Sequence, residues 1–350
     1  MGRSGASFGQ VHFCAEDYWP HNTGLYVTDF KGNDPLFAFY FLKSLDFDRY
    51  NSGSAQASLN RNFIYPIPIK VPEPAEQELI AAALGMLDDK IEVNRRMNAT
   101  LEAMARALFQ SWFVDFDPVR AKLDGRSVNG LDEATAALFP DHFEESELGH
   151  TPRSWEVRSL DKIAHYLNGL ALQNYPAGNS PTLPVIKIAQ LRKGDTVGAD
   201  RCSADLPAEY VVHDGDVLFS WSGSLEVELW CGGPGALNQH LFKVTSAEFP
   251  KWFCYLWTLY HLDEFRLIAA GKATTMGHIQ RGHLTAARVL VPSRPLLKSM
   301  TGIMSPLIER IIANRIQSRT LATLRDTLLP KLLSGEIRVA GPAVTSASVS

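Results

Sequence analysis

An internal repeat constrains this 350-residue chain more than any other feature. Residues 71–113 align with residues 291–333 without a gap, at a constant offset of 220 (291 − 71). The identical pairs are Val71/Val291, Pro72/Pro292, Leu87/Leu307, Ile91/Ile311, Asn94/Asn314, Arg95/Arg315, Thr100/Thr320, Leu101/Leu321 and Leu108/Leu328. Upstream, with small gaps, Ser4-Gly5 matches Ser222-Gly223, Asn22 and Leu25 match Asn238 and Leu241, Tyr40 matches Tyr255, and Gly53 and Ala55 match Gly271 and Ala273. The chain is therefore predicted to contain two copies of one unit, each ending in a long helix.

Apolar residues in the two predicted helices recur at alternating spacings of three and four. In the first helix they are Leu84, Leu87, Ile91, Leu101, Ala105, Leu108 and Trp112, and in the second Met304, Leu307, Ile311, Leu321, Leu328 and Leu332. This narrow seam is typical of a coiled coil. A helix of about 38 residues is ~57 Å long. The alternative is that each helix packs only on its own globular unit.

An asparagine interrupts each seam near its middle. A buried asparagine is costly unless it is paired, and it commonly fixes helix register. Antiparallel packing about a pseudo-twofold axis would bring Asn94 and Asn314 together. Residues 73–113 carry seven acids and four bases (net −3), whereas residues 293–333 carry two acids and seven bases (net +5). The opposite charges favour pairing of the two helices with each other.

The expected fold class is α/β (α+β), with two globular units separated by two long antiparallel helices in a coiled coil and related by an internal pseudo-twofold repeat. The predicted divisions are a first unit at 1–72, a first long helix at 73–113, an acidic central linker at 114–150, a second unit at 151–293, a second long helix at 294–335 and a flexible tail at 336–350. The linker holds nine acids and three bases, so most of the negative charge of the chain (net −4) lies in it.

The two copies differ in length. Residues 155–221 precede Ser222-Gly223 in the second copy, whereas only residues 1–3 precede Ser4-Gly5 in the first. The first unit is therefore expected to lack its opening half, which a late start codon or a truncated gene would explain.

The rest of the sequence argues against catalysis, metal binding and membrane insertion. No apolar run reaches the ~18 residues of a membrane span, and the N-terminus has no signal core, so a cytoplasmic protein with no membrane partner is expected. The cysteines, Cys14, Cys202, Cys231 and Cys254, form no CxxC pair. Asp115-Phe116-Asp117-Pro118-Val119 is not an adenine methyltransferase loop, Gly271-Lys272 is not a P-loop, and no nuclease motif is present. His278 and His283 would need further ligands to hold a metal. No catalytic residue, bound cofactor or metal is predicted.

Two different globular units on a rigid spacer suit a ligand with two separated half-sites, such as DNA, whose half-sites one helical turn apart lie near ~34 Å. Four stretches resemble the specificity subunit of Type I restriction–modification systems. They are Leu148-Gly149-His150-Thr151-Pro152-Arg153-Ser154-Trp155-Glu156-Val157, Pro74-Ala75-Glu76-Gln77 with Ile80 and Leu87-Asp88, Leu108-Phe109-Gln110-Ser111-Trp112-Phe113-Val114-Asp115-Phe116-Asp117-Pro118-Val119, and Leu329-Pro330-Lys331-Leu332-Leu333-Ser334-Gly335-Glu336-Ile337. The resemblance covers nearly the whole chain, 1–340, although Leu296-Leu297 stand where the first helix has Glu76-Gln77.

The resemblance implies two target recognition domains, a truncated one at 1–72 and a complete one at 151–293, that read a bipartite sequence in double-stranded DNA. It also implies that the helices set the spacer length and dock two methyltransferase subunits, which use S-adenosylmethionine to methylate adenine. Restriction subunits then add translocation and cleavage that depend on ATP and Mg²⁺. None of these cofactors or activities would belong to this chain.

Candidate DNA contacts combine bases for phosphates with amides and hydroxyls for base edges. In the second unit they form three stretches: Gln173, Asn174 and Tyr175; Lys187, Gln190, Arg192 and Lys193; and Lys272, Thr274, Thr275, His278, Gln280 and Arg281. The counterpart of the third stretch in the first unit holds Gln56, Ser58, Asn60 and Arg61. Ordinary solvated loops are the alternative for all of them. Two other functions remain open, a coiled-coil scaffold that binds only protein and a truncated specificity remnant that is inactive or half-functional.

Overall fold

The computed structural model describes residues 1–53, 56–128, 130–178, 181–271 and 277–339. Contacts divide the chain into two compact units. These units are larger than the predicted ones, because each includes part of both long helices. From here on, the first unit is Met1–Val93 with Ser318–Ser350, and the second unit is Asn94–Gln317. Among the described residues, no helix has the length and apolar character that crossing a membrane requires.

The helices and strands are numbered along the chain. The helices are α1 (Pro35–Ser44), α2 (Arg61–Ile64), α3 (Pro74–Phe113), α4 (Asp117–Leu123), α5 (Glu133–Leu138), α6 (Leu160–Ile163), α7 (Ile188–Lys193), α8 (Lys251–Tyr260), α9 (Leu262–Ala270), α10 (Arg281–Ala286) and α11 (Arg294–Ser334). The strands are β1 (Phe143–Ser146), β2 (Gly149–Pro152), β3 (Glu156–Ser159), β4 (His165–Asn168), β5 (Thr182–Ile186), β6 (Arg201–Ser203), β7 (Val211–Val212), β8 (Val217–Ser220), β9 (Val227–Leu229), β10 (Gly235–Leu237), β11 (Leu241–Thr245) and β12 (Arg288–Val291). The long helices α3 and α11 begin and end within one residue of the predicted bounds.

The second unit is built on two four-stranded sheets. One has the order β6-β5-β10-β7, in which β5 and β10 are parallel and the other neighbours are antiparallel. The other has the order β4-β11-β8-β9 and is antiparallel, with Leu241 opposite Ser220 and Val244 opposite Val217. The antiparallel pairs β1-β2 and β3-β12 complete the unit. This mixture of sheets and helices is the predicted α/β (α+β) class.

The acidic segment 114–150, predicted as a linker, is folded within the second unit. It forms α4, α5 and the first part of the β1-β2 hairpin. Its apolar residues Val119 and Phe139 are buried in the same cluster as Phe113 and Trp155. All nine acidic residues of the segment are exposed, so its charge faces solvent while its apolar side builds the core.

Within the second unit, the C-terminal half of α3 packs antiparallel on the N-terminal half of α11. Asn314 Nδ2 donates to Asn98 Oδ1 (2.9 Å), and Asn98 Nδ2 donates to Ile311 O (3.2 Å). Asn94 Nδ2 donates to Gln317 Oε1 (2.8 Å) and lies 3.4 Å from Asn314 O. The predicted antiparallel pairing is confirmed here, and the asparagines that were expected to meet do lie in contact.

The first unit has a small core. The buried apolar residues that pack together in this core are Phe37, Tyr40, Ile80, Ala81, Leu84, Leu329 and Leu332. Gln77 is buried, and its Oε1 accepts from Asp34 N (3.0 Å) while its Nε2 donates to Asn33 Oδ1 (2.8 Å) and Pro72 O (2.9 Å). This amide therefore ties the loop before α1 to the start of α3, which gives the Glu76-Gln77 motif a structural role.

The repeat has the same backbone geometry in both units. Ser4 forms an antiparallel bridge with Ser58, and Ser222 forms one with His278. The neighbouring hydrogen bonds also match: Gly5 N donates to Ala57 O (3.2 Å) and Leu59 N to Arg3 O (2.8 Å), while Gly223 N donates to Gly277 O (2.9 Å) and Ile279 N to Trp221 O (3.0 Å). Gly5 and Gly223 share a left-handed conformation, with φ of +66° and +65°, that other residues rarely adopt. The sequence repeat is thus a structural repeat.

The corresponding helices α1 and α8 differ in how they are covered. Seven residues of α8 are buried, against two of α1, although both helices have ten residues. In the second unit the segment before β8 covers α8, because Thr258 Oγ1 lies 2.7 Å from Tyr166 OH and Cys254 Sγ lies 3.6 Å from Ile163 O. In the first unit, Phe39 of α1 instead lines an open cavity of about 360 Å³.

We expect the backbone amides of α1 to exchange with deuterium faster than those of α8. The reason is that exchange from a helix with few buried contacts needs only local opening, whereas exchange from a core helix needs near-global unfolding. Hydrogen–deuterium exchange read by mass spectrometry checks this, with peptides from both helices compared in one sample. Equal protection of the two helices would contradict it.

Candidate nucleic-acid interface

The three candidate stretches of the second unit begin around one turn. Residues 238–240, which we name the central turn, carry the chain from β10 in one sheet to β11 in the other. Asn238 bridges Leu170, three residues before the first stretch. Asn238 N also donates to Ile186 O (3.3 Å), next to the second stretch. The turn is therefore the point at which separate loops converge.

The third stretch reaches the central turn through the residues after β8. Ser222 bridges His278, and Ser222 Oγ lies 2.9 Å from His240 Nδ1. Trp221 Nε1 donates to Asn168 Oδ1 (2.9 Å) and to Gln239 O (3.2 Å). These hydrogen bonds connect the end of β4, the residues after β8 and the central turn that precedes β11.

The first stretch presents two amides to solvent. Gln173 and Asn174 are exposed on a single 3-10 turn, Leu172–Asn174, whose Leu172 is buried against β6 in a small cluster with Cys202. Tyr175 is half-buried and packs on that cluster, and its carbonyl accepts from Ser203 N (2.9 Å). The buried leucine holds the turn, so the two amides are available to a ligand.

The second stretch is less cationic than its sequence suggests. Lys187 forms an ion pair with Asp200 and lowers the pKa of that carboxyl, and Lys193 Nζ lies 3.2 Å from Asp195 Oδ1. Gln190 Oε1 accepts from Lys187 N (3.2 Å), so this amide caps α7. Arg192 is exposed, and its guanidinium forms no hydrogen bond or ion pair with the described residues. It is the best placed of the four to meet a phosphate.

Half of the third stretch, Lys272, Thr274 and Thr275, lies outside the described residues. Gln280 is exposed and precedes α10, where its N–H donates to His283 Nδ1 (2.9 Å). The Arg281 guanidinium donates to Tyr166 O (3.3 Å) and lies 5.6 Å from the centre of the Phe242 ring. Because Arg281 binds its own fold in this way, it has a structural role that the sequence did not reveal.

Among the candidate residues of the first unit, some are exposed and others make contacts within the fold. Gln56 and Arg61 are exposed, and Arg61 lines the cavity beside α1. Ser58 is held in the framework by Ser4 and by Asn51 Oδ1, which accepts from Ser58 N (3.0 Å). Asn60 caps α2 by accepting from Asn62 N (3.0 Å). Two of the four residues therefore serve the local fold, Ser58 through its backbone and Asn60 through its side chain.

Sequence reasoning missed Gln239 and His240 as candidate contacts. Both are half-buried in the central turn, and Gln239 Nε2 lies 3.4 Å from His240 Nε2. Their amide and imidazole groups can donate to or accept from base edges. A signal was present, because Asn238 and Leu241 match Asn22 and Leu25 while the two residues between them differ between the copies.

The close approach at the central turn requires a glycine. A Cβ at Gly169 would lie 2.2 Å from Asn238 O, so no other residue fits without moving the backbone. Among the described residues, no three His, Cys, Asp or Glu side chains are grouped so that they could hold a metal ion. The arrangement offers hydrogen-bonding groups and positive charge.

Sequence comparisons agree on one family. The model described as the Type I restriction modification DNA specificity domain matches residues 2–103. The MjaIX specificity subunit of Methanocaldococcus jannaschii is 25% identical over 316 residues, which cover 87% of this chain and 69% of that protein. The HindI specificity subunit of Haemophilus influenzae is 25% identical over 360 residues, covering 87% of this chain and 77% of that protein.

Solved structures that match the chain include the S subunit of a Type I system from M. genitalium, with 16% identity and a TM-score of 0.48, covering 95% of this chain and 81% of that one. A specificity subunit from Thermoanaerobacter tengcongensis matches with 18% identity and a TM-score of 0.32, covering 87% and 71%. The sequence matches, the family model and the resemblance of the four motifs all agree. The chain is thus similar to the specificity subunits of Type I restriction–modification systems, and its residues 2–103 match their DNA specificity domain.

Proposed function

We propose that this chain recognises DNA sequence for a Type I restriction–modification enzyme and is not itself the catalyst. The observation that carries the proposal is the central turn, which contacts the segments leading into all three polar stretches. Similarity to specificity subunits supports DNA as the ligand, because residues 2–103 match a DNA specificity domain and the second unit repeats the first. A scaffold that binds only protein would present exposed aromatic and apolar groups at these loops, and Gln173, Asn174 and Arg192 are polar.

We propose that different loops of the second unit contact different parts of the DNA. Arg192 contacts phosphate, which supplies affinity without regard to sequence. Gln173 and Asn174 contact base edges, where an amide pairs with adenine through two hydrogen bonds. Gln239 and His240 of the central turn add further base contacts. The second recognition unit, residues 151–293, thereby reads one half of a bipartite target.

The partners and cofactors follow as part of the same proposal. Two methyltransferase subunits and the restriction subunits assemble on the chain, and S-adenosylmethionine, ATP and Mg²⁺ are bound by those subunits. The purified chain by itself is expected to transfer no methyl group to DNA carrying the target. Activity of the isolated chain would contradict this part of the proposal.

The test starts from the target sequence, which methylome sequencing of the host supplies. Binding of the assembled methyltransferase is then measured over a range of salt concentrations on target and scrambled DNA. We expect Arg192→Ala to weaken binding to both DNAs and to reduce the salt slope by about one. We expect Asn174→Ala to cost about 1–3 kcal/mol on the target alone and to relax the preference at one position.

The matched control is Arg153→Ala, which removes an exposed arginine from the second unit far from these loops in sequence. It should leave affinity and salt slope unchanged. If Arg192→Ala behaves like the control and Asn174→Ala leaves the sequence preference intact, these loops do not form the DNA interface.

A further inference from the structure

A half-buried ionic cluster in the second unit joins the sheet to both long helices. Arg315 of α11 donates through one terminal nitrogen to Glu228 Oε2 and Leu229 O of β9, both at 3.0 Å. Its other terminal nitrogen donates to Glu102 Oε1 of α3 at 2.9 Å. One planar guanidinium thus holds two helices and a strand at once, a geometry that a lysine ammonium cannot reproduce.

The cluster is half-buried, with the side chains of Arg315, Glu102 and Glu228 between 30% and 38% exposed, so each charge partly depends on the others. Burial raises the pKa of Glu228, and the guanidinium of Arg315 opposes that shift. Tyr255 of α8 lies in the same environment, and burial together with Glu228 raises its pKa to about 12. Removing the arginine would leave two carboxylates near each other with no counter-charge, an unfavourable state in a partly desolvated site.

The first unit has a similar cluster built from other positions. Arg325 of α11 forms an ion pair with Asp88 of α3, and Tyr40 OH of α1 donates to Asp88 Oδ2 at 2.7 Å. The repeat does not generate both clusters, because the counterpart of Arg325 at the offset of 220 is Ala105. In each unit α11 supplies the arginine and α3 a carboxylate, in the same sense as the net charges of the two helices.

The strand that Arg315 holds belongs to the sheet that carries the central turn. In the order β4-β11-β8-β9, β9 is the edge strand and pairs with β8. The residues that follow β8, Trp221 and Ser222, contact the central turn, and β11 begins directly after it. A rotation of this sheet on the helices would therefore move the recognition loops with it.

We propose that Arg315 is a positioning residue for DNA recognition, which fixes the angle at which the second recognition unit presents its loops relative to the helix pair. The expected effect on DNA recognition rests on the proposed function, whereas the expected effect on the position of the recognition unit does not. A purely stabilising contact would affect all DNA ligands equally. A positioning contact affects the discrimination between targets whose two halves are separated by different numbers of base pairs.

The experiment compares Arg315→Lys and Arg315→Met with the controls Arg310→Lys and Arg310→Met, since Arg310 is exposed on the same helix. Binding of the assembled methyltransferase is measured on the natural target and on targets with one base pair added to or removed from the spacer. We expect Arg315→Lys to lower the preference for the natural spacer by about tenfold, equivalent to ~1.4 kcal/mol. The Arg310 variants should keep that preference.

A second measurement needs no DNA. Spin labels at Met104→Cys on α3 and Val197→Cys in the recognition unit, both exposed sites, are placed in a Cys14→Ser background of the full chain. The distance distribution between the labels should broaden in Arg315→Lys and remain narrow in Arg310→Lys. If it stays narrow in Arg315→Lys, the positioning role is overturned, whatever the DNA result.

The two readouts separate the two claims. If the wild-type enzyme shows no preference for any bipartite DNA, the proposed function fails, and the label distances alone decide the role of Arg315. If the wild type shows a spacer preference that Arg315→Lys retains in full, the positioning proposal fails while the proposed function stands. If Arg315→Met does not fold, the result for Arg315→Lys decides between these outcomes. This variant keeps the positive charge but loses the planar, forked set of donors of the guanidinium.

Discussion

Trp257→Ala is expected to destabilise the second unit by about 3–5 kcal/mol, the usual cost of removing a large aromatic side chain from a core. Trp257 is 3% exposed on α8. Its ring lies edge-on to Phe109 of α3 at 4.9 Å and to Phe113 at 5.7 Å between ring centres. The substitution therefore removes contacts between the recognition unit and the long helix as well as contacts within the unit.

Urea unfolding followed by circular dichroism measures this loss. The matched control is Leu42→Ala, at the corresponding position of α1 when Tyr40 is aligned with Tyr255. Leu42 is only partly buried and lines an open cavity, so its truncation should cost much less. Equal costs at the two positions would show that α1 is as well packed as α8, against the burial described above.

Asn314→Leu is expected to be destabilising by itself and largely compensated by Asn98→Leu. The single change leaves the buried Asn98 Oδ1 without its donor, which costs about 1–3 kcal/mol. Replacing both asparagines removes the unpaired groups and adds apolar area to the seam. The double variant should then be near wild type in stability but less strict in helix register, because the polar pairing that selects one alignment is gone.

A double-mutant cycle of urea unfolding gives the coupling between the two asparagines. We expect a coupling energy of about 1–2 kcal/mol, with the double variant more stable than either single variant. Register is read separately by disulfide cross-linking of cysteine pairs placed one helical turn apart on α3 and α11. Additive single effects, with unchanged cross-linking, would show that the asparagines do not act as a pair.

Much of the architecture could be predicted from the sequence because it repeats. The spacing of apolar residues defined α3 and α11, and the identical Asn94 and Asn314 predicted the contact between them. The matching Ser4-Gly5 and Ser222-Gly223 pairs have the same backbone contacts in the two units. Such features depend on local periodicity and on identical residues, and both are visible without coordinates.

The candidate interface was only partly predictable. Lys187 and Lys193 are neutralised by Asp200 and Asp195, and Arg281 is bound to Tyr166 O, so three predicted contacts are engaged within the fold. Whether a lysine or arginine is paired depends on which carboxylates and carbonyls approach it, and sequence distance does not reveal that. The residues of the central turn were missed for the same reason.

The sequence by itself determined that this protein is a double unit with two long helices of opposite charge, because helix periodicity and repetition are properties of the chain. Tertiary structure alone decided that the acidic segment 114–150 is part of a core, that residues 238–240 gather three loops, and that Arg315 joins a sheet to two helices. These results depend on contacts between residues far apart in sequence. Their energies come from burial and from charge pairing in a desolvated site, which exist only once the chain has folded.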